Sequence, residues 1–399
     1  MSVRSNKVGG LVDQVSYEKR RVALIERSLE TYSPSGNEGE FAKLIMDELE
    51  GISLKPRLDP AGNVICVSGG MDDYSSSILF CGHMDTVPGE VPFRRDGDMV
   101  YGRGACDAKG PLLSLLFAFE DLALGDDQKV IFAAVTEEER SSVGLKRLLK
   151  DNVAASSAVF GEPCGISKVT IGYRGHLPTR LSVETKETHG SAPWLAENSA
   201  ELTFSIYNDL KESLTKSQQD RKVGKGKNEE MIDSISVALT EVHGGTAHNV
   251  TPRRTDITLD IRIPQGMSVR EVEDRVLAAI DLSSKRSPEA LVNVVFDDPT
   301  EPYKAKIDCD LVRAISRAML KSDVPIRPSF IEKSGTGDMN SYARHFGVDA
   351  VTYGPGNTKL SHTSSEAVSI KEIFDCSRVL VSAAHEYREI RRKGKKMLG

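Results

Sequence analysis

His83 ends an apolar run, "SSSILFCGHMD", with Asp85 two residues further on. A second run, "KVIFAAVTEEE", ends in Glu137, Glu138 and Glu139, and a third, "SSAVFGEP", ends in Glu162. Asp107 stands in "YGRGACDAKGPLLSLL", just before a helical pattern, and His362 stands in "GPGNTKLSHTSSE", after the run "GVDAVTYGPG". Singly, each has an ordinary structural reading, since charge runs usually lie in water. Together, two imidazoles and three or more carboxylates at one edge accumulate negative charge that cations would offset. Histidine and carboxylate donors without thiolates suit zinc, cobalt or manganese. Five donors, one of them a shared carboxylate, can hold two ions about 3.5–4 Å apart. A further carboxylate beside the attacking water would be its general base, and Asp85 can orient His83 by hydrogen bonding.

Such convergence needs strands that end together. Continuous apolar runs alternate with helical patterns such as "GPLLSLLFAFEDLAL" and "VGLKRLLKDN". This predicts an α/β fold, a mostly parallel mixed sheet with helices on both faces. Ligands in such folds collect beyond the carboxyl ends of the strands, where these runs turn polar. Between 177 and 298 the pattern becomes β-α-β-β-α-β: "TRLSVETKE", "ENSAELTFSIYNDLKESL", "SISVALTEV", "DITLDIRI", "SVREVEDRVLAAIDL" and "LVNVVFDD". That order is ferredoxin-like α+β, inserted into a catalytic domain of residues 1–176 and 299–399. Helices are expected over "EPYKAKIDCDLVRAISRAML" and "IKEIFDCSRVLVSAAHEYREI".

The 399 residues are 39% hydrophobic and 28% charged, ordinary for a globular protein of about two domains. A formal net charge of −6 argues against nucleic acid as partner. No run is long enough to span a membrane and "MSVRSNKVGGLVDQVS" lacks a signal peptide's apolar core, so a cytoplasmic location is expected. Six cysteines without a CxxC pair read as buried free thiols. The basic pieces "DRKVGKGKNEE" and "REIRRKGKKMLG" read as an exposed loop and a tail. In "GRGACDAKG" the third glycine of a dinucleotide fingerprint is replaced by Asp107, and "SGTGDMN" lacks the Lys-Ser/Thr ending of a P-loop.

The chain resembles the M20 family of dinuclear metallo-aminoacylases and peptidases. The likeness rests on "SPSGNEGEFA", "GHMDTVPG", "YGRGACDAKG", "TEEERSSVG", "GEP", "GYRG", "HGSAPW", "GGTAHNVTP", "DIRIP", "SGTGDMN" and "SHTSSE", in the family's order. The resemblance implies His83 and Glu162 as terminal ligands of one ion, Glu139 and His362 of the other, and Asp107 as the bridge. It implies Glu138 as base, with a register one residue away as the alternative, and a cis peptide after Asp107. It further implies Arg174 near a substrate carboxylate. Arg262 is implied either there or as an anchor of the inserted domain. His189 and Asn249 would reach the active site of the partner in a homodimer joined through that domain. Lys333 of "KSGTGDMN" is expected either to contact an acidic carrier or a substrate carboxylate or to form a surface ion pair, and Gly335 is a further expected substrate contact, although Gly337 stands where the resemblance suggests Ser.

Within the family, "YSPSGNEGEFA", "GHMDTVPGEVPFR", "YGRGACDAKGPL" and "KSGTGDMN" are most similar to LysW-dependent lysine/ornithine hydrolases. These release lysine or ornithine from the C-terminal glutamate of a small acidic carrier protein. Deacylases of small N-acyl amino acids (acetylornithine, succinyl-diaminopimelate) and dipeptidases share the same metal motifs and stand as alternatives. A non-catalytic metal-binding protein is a third, more remote one.

Overall fold

A computed structural model describes residues 10–69, 74–125, 128–216, 232–323 and 326–398. The chain divides into two compact units. The first comprises Met1–Ile171, Ala305–Ile331 and Tyr342–Gly399, and the second Gly172–Lys304 with Glu332–Ser341.

In the first unit four parallel strands lie in the order Val130–Val135, Ile78–His83, Ser157–Phe160, Asp349–Thr352. Val64–Ser68 pairs antiparallel with Val130–Val135 on one side, and Lys168–Tyr173 meets Asp349–Thr352 antiparallel on the other. Every residue of Ile78–His83, Val130–Val135 and Ser157–Phe160 is buried, so both sheet faces are covered, which explains their unbroken apolar character. The helix Lys109–Gly125 packs on Ile78–His83 and Val130–Val135. It is itself covered by the helices Gly10–Glu30 and Ile370–Leu398, so it is apolar nearly all round. Glycines set its approach: a Cβ on Gly82 would lie 3.1 Å from Leu112, and one on Gly161 2.7 Å from Leu115.

A smaller antiparallel sheet, not expected from the sequence, joins Arg94–Asp96, Met99–Tyr101 and Ala367–Ser369. It pairs Tyr101 with Ala367, bringing the loop of Asp107 beside the loop of His362.

Two expectations need correction. The helix in "EPYKAKIDCDLVRAISRAML" spans only Asp310–Lys321, after a short strand Tyr303–Lys304. The basic C-terminal stretch is not a separate tail but continues the helix Ile370–Leu398. Arg391 ties that part down, donating to Ser75 O at 3.0 Å and to Asp310 Oδ2 at 3.2 Å. The stretch "DRKVGKGKNEE" lies outside the described residues. All six cysteines are free, and all but Cys309 are buried. No described helix is long and apolar enough to cross a membrane.

The second unit holds a four-stranded antiparallel sheet in the order Ser236–Gly244, Arg254–Ile263, Gly175–Glu184, Leu291–Phe296. With the helices Ser199–Lys216 and Val269–Ser284 this gives the β-α-β-β-α-β order. Burial alternates along Gly175–Glu184 and Arg254–Ile263, so one face is packed, with Leu181, Leu259, Ile206, Leu210, Val272 and Val276 in its core. Ser268 and Glu271 form a reciprocal capping box at the start of the second helix. The unit is wider than the 177–298 segment marked by periodicity. Gly172 and Tyr173 pair with Lys304 and Tyr303, and Asn340 Nδ2 donates to Arg174 O at 3.2 Å and Glu301 O at 2.9 Å.

Candidate metal centre

His83 is the last residue of its strand, and Glu138, Glu139 and Glu162 follow the ends of the neighbouring parallel strands. Parallel strands end at one edge, so these residues converge there. Asp107 enters from the turn ahead of the Lys109 helix, with a cis Asp107–Ala108 peptide bond. His362 enters from the loop before Ala367–Ser369.

Among the described residues three donor groups result, each with ligand atoms within 4.8 Å of one another: His83, Asp107 and Glu162; Asp107, Glu139 and His362; and His83, Glu138 and Glu139. Asp107 belongs to the first two. His83 Nε2 is buried without a hydrogen-bond partner among the described residues and faces Asp107 Oδ1 at 3.5 Å and Glu162 Oε1 at 3.7 Å. His362 Nε2 lies 2.7 Å from Glu139 Oε1 and 3.3 Å from Asp107 Oδ2. An orphaned buried imidazole nitrogen aimed between carboxylates fits a divalent cation, as does the excess of carboxylates over imidazoles.

The electrostatics show the same crowding. Burial opposes charge on both His83 and Asp107. Yet Asp107 and Asp85 raise the His83 pKa well above its ordinary value, while His362 and His83 hold Asp107 far below the usual carboxylate range. His362 rises to about 9 through its bond to Asp107 and the charge of Glu139. Burial pushes Glu139 up.

Asp85, with no exposed surface, does more than orient the imidazole. His83 Nδ1 lies 2.9 Å from the backbone carbonyl of Asp85 and 3.3 Å from its Oδ1. The same carboxylate accepts the backbone N–H groups of Glu138 at 3.0 Å and Glu139 at 3.1 Å, and the Ser35 hydroxyl at 2.7 Å. Glu38, which sequence reasoning did not single out, accepts the Glu137 N–H at 3.0 Å and the Gly36 N–H at 3.0 Å. Thus all three backbone N–H groups of the acidic turn end on carboxylates. Glu137 is the corner of that turn, at φ +54°. Its carbonyl accepts from the N–H groups of Arg140, Ser141 and Ser142, and its carboxylate from the Ser141 hydroxyl at 2.6 Å. Glu38 was visible only as part of the quoted "SPSGNEGEFA".

The other expected residues belong to the second unit. Arg174 is buried and donates through Nη2 to Ser234 O, to Ser236 Oγ at 3.1 Å and to Arg262 O at 2.8 Å. Burial and the neighbouring Arg262 lower its pKa to about 10. Arg262 grips Asp260 with two hydrogen bonds, 2.7 and 2.8 Å, and reaches Thr336 Oγ1 at 3.1 Å. His189 and Asn249 are exposed and lie on adjacent segments: His189 bridges Val250, and Gly190 N donates to Asn249 O at 2.7 Å. Lys333 Nζ lies 5.7 Å from the Tyr173 ring centroid. A Cβ on Gly335 would meet nothing within 4 Å, so packing does not require glycine there.

A model of Peptidase family M20/M25/M40 matches residues 79–386. A Thermococcus kodakarensis protein, provisionally named a LysW-lysine/LysW-ornithine hydrolase, is 32% identical over 374 residues, 93% of each chain. The LysW-lysine/LysW-ornithine hydrolase of Saccharolobus solfataricus is 31% identical over 346 residues, 87% of this chain and 90% of its own. Among solved structures, aminopeptidase PepT of Bacillus cereus has the same fold, with a TM-score of 0.75 at 19% identity over 93% of this chain and 99% of its own. The Bacillus subtilis YXEP protein, described as a dinuclear metal-binding M20 peptidase, gives a TM-score of 0.70 at 16% identity, over 93% of this chain and 98% of its own. With the family match spanning most of its length, this chain belongs to peptidase family M20/M25/M40.

Proposed function

We propose that the protein is a dinuclear metal-dependent amidohydrolase that releases lysine or ornithine from the C-terminal glutamate of a LysW-type acidic carrier protein in amino-acid biosynthesis. The observation that carries the hydrolytic part is the pair of donor groups sharing Asp107, with His83 Nε2 orphaned between carboxylates. The names of relatives at about 30% identity support the carrier-linked substrate. In this reading His83 and Glu162 would hold one cation and Glu139 and His362 the other, with Asp107 available to both. Zinc is the first choice, with cobalt or manganese as alternatives. Such ions supply Lewis-acid polarisation of the amide carbonyl and lower the pKa of the attacking water.

The remaining work falls to the chain. Glu138 takes the proton of the attacking water as its oxygen bonds to the carbonyl carbon. When the carbon–nitrogen bond breaks, Glu138 returns that proton to the departing amine, leaving a free carboxylate and the free amino acid. Asp85 and Glu38 hold the backbone of the turn that aims Glu138. Arg174, Arg262, Lys333 and Gly335 are the candidate substrate contacts. His189 and Asn249 would serve the second subunit of a homodimer, with His189 stabilising the oxyanion.

The test compares kcat/KM for carrier-linked lysine and ornithine with that for acetylornithine, acetyl-lysine and succinyl-diaminopimelate. At least a tenfold preference for a carrier-linked substrate is expected, about 1.4 kcal/mol in transition-state binding. Preference for a small N-acyl substrate would assign the protein to the deacylases instead.

A further inference from the structure

Glu366, four residues after His362, takes no part in the donor groups yet is wholly buried. Its carboxylate joins two loops remote in sequence. Oε2 accepts the backbone N–H of Gly104 at 2.7 Å, and Oε1 accepts Arg103 Nη1 at 2.7 Å and the backbone N–H of His362 at 3.2 Å. Arg103 continues the link, donating to Thr363 O at 3.0 Å and Gly89 O at 2.6 Å. One loop carries Asp107 and the other His362, two of the three residues in one donor group. His362 has φ +63°, a left-handed conformation that a non-glycine residue keeps only when its surroundings impose it. The hydrogen bond from its N–H to Glu366 is such a constraint. Of the other terminal donors, His83 is the last residue of a buried parallel strand and Glu162 lies two residues beyond the end of another, while Glu139 lies on the acidic turn, with its backbone N–H held by Asp85.

We infer that Glu366 is a positioning residue for one half of the metal centre: it sets the distance between Asp107 and His362, and with it the affinity of the cation held by Asp107, Glu139 and His362. The inference rests on the two-ion reading above. Hydrogen-bonding partners of metal ligands typically govern affinity by about 10–100-fold.

The experiment titrates metal-stripped full-length protein with Co²⁺, following heat and the visible cobalt spectrum, for wild type, Glu366→Gln and Glu366→Asp. Glutamine keeps the shape but loses an acceptor, whereas aspartate keeps the charge but is one methylene short. Two equivalents are expected for wild type. Both variants should bind one equivalent within about threefold of wild type and the other 10–100-fold more weakly, with an altered spectrum for that ion only. Equal weakening of both ions, or loss of the fold in both variants, would overturn the inference in favour of a general structural role. Unchanged affinities would overturn it outright. Wild-type protein that takes fewer than two equivalents would instead overturn the two-ion reading, and this inference with it.

Discussion

Asp85→Asn separates the two tasks that one buried carboxylate performs. In the structure Oδ1 faces the Glu138 N–H and His83 Nδ1, while Oδ2 faces the Glu139 N–H and the Ser35 hydroxyl. Asparagine fills the same space with one acceptor oxygen. Whichever way the amide turns, its NH₂ opposes a backbone N–H of Glu138 or Glu139. A hydrogen bond to a charged group contributes about 1.5–3 kcal/mol, and a neutral one about 0.5–1.5 kcal/mol. Losing one charged bond and weakening the other three sums to about 4–8 kcal/mol, and the relief of burying a neutral amide in place of a charge offsets part of it, leaving about 2–4 kcal/mol. For a unit of this size that is a fall of about 4–16 °C in the unfolding midpoint, at about 2–4 °C per kcal/mol. The assay is thermal unfolding of the metal-free protein by circular dichroism, with turnover measured after metal is restored. Turnover should fall at least tenfold, because the turn that aims Glu138 loses an anchor. Ser35→Ala, which removes a single hydrogen bond to that carboxylate, should cost about 1.5–3 kcal/mol. An Asp85→Asn protein that melts within about 2 °C of wild type and keeps its turnover would refute the reasoning.

Glu138→Gln should leave metal content unchanged while lowering kcat by about 10²–10⁴, measured by metal analysis and steady-state kinetics on the same preparation. Gly144→Ala should destabilise by more than about 2 kcal/mol in chemical unfolding, because its Cβ would lie 2.5 Å from the Thr136 nitrogen and 2.5 Å from Asn63 Oδ1. The acidic turn begins at the next residue after Thr136, so activity should fall too. Burial lifts the Cys66 thiol to about 11 from an ordinary 9. The folded state keeps its proton where the unfolded state gives it up, so stability from this group is lost as pH rises from 9 through 11. The stability difference between wild type and Cys66→Ala should therefore narrow between pH 8 and pH 10.5, read from melts at each pH; a constant difference would contradict it.

The parallel core was legible because full burial leaves an unbroken apolar run, as in Ile78–His83 and Val130–Val135, and the run turns polar where the strand meets the ligand edge. The second unit was legible for a different reason: its strands show one face, and residues alternate. Two features left no comparable periodicity. The strands Arg94–Asp96, Met99–Tyr101 and Ala367–Ser369 are three residues each, too short for any pattern to stand out. The segment Glu332–Ser341 joins the second unit with hydrogen bonds such as Asn340 to Glu301 O, which no periodicity announces.

The sequence by itself supplied the candidate ligands His83, Asp107, Glu139, Glu162 and His362 and the candidate base Glu138, and the expectation that strand ends would deliver most of them to one edge. Only the tertiary structure decided how they are held. The acidic turn is fixed by Glu38 and Asp85, which meet it from 99 and 53 residues away. Glu366 likewise meets Gly104 across 262 residues. Local side-chain chemistry specifies what a residue can bind. The partner that satisfies a buried N–H is whichever group the folded chain brings within about 3 Å, and no local pattern encodes that distance.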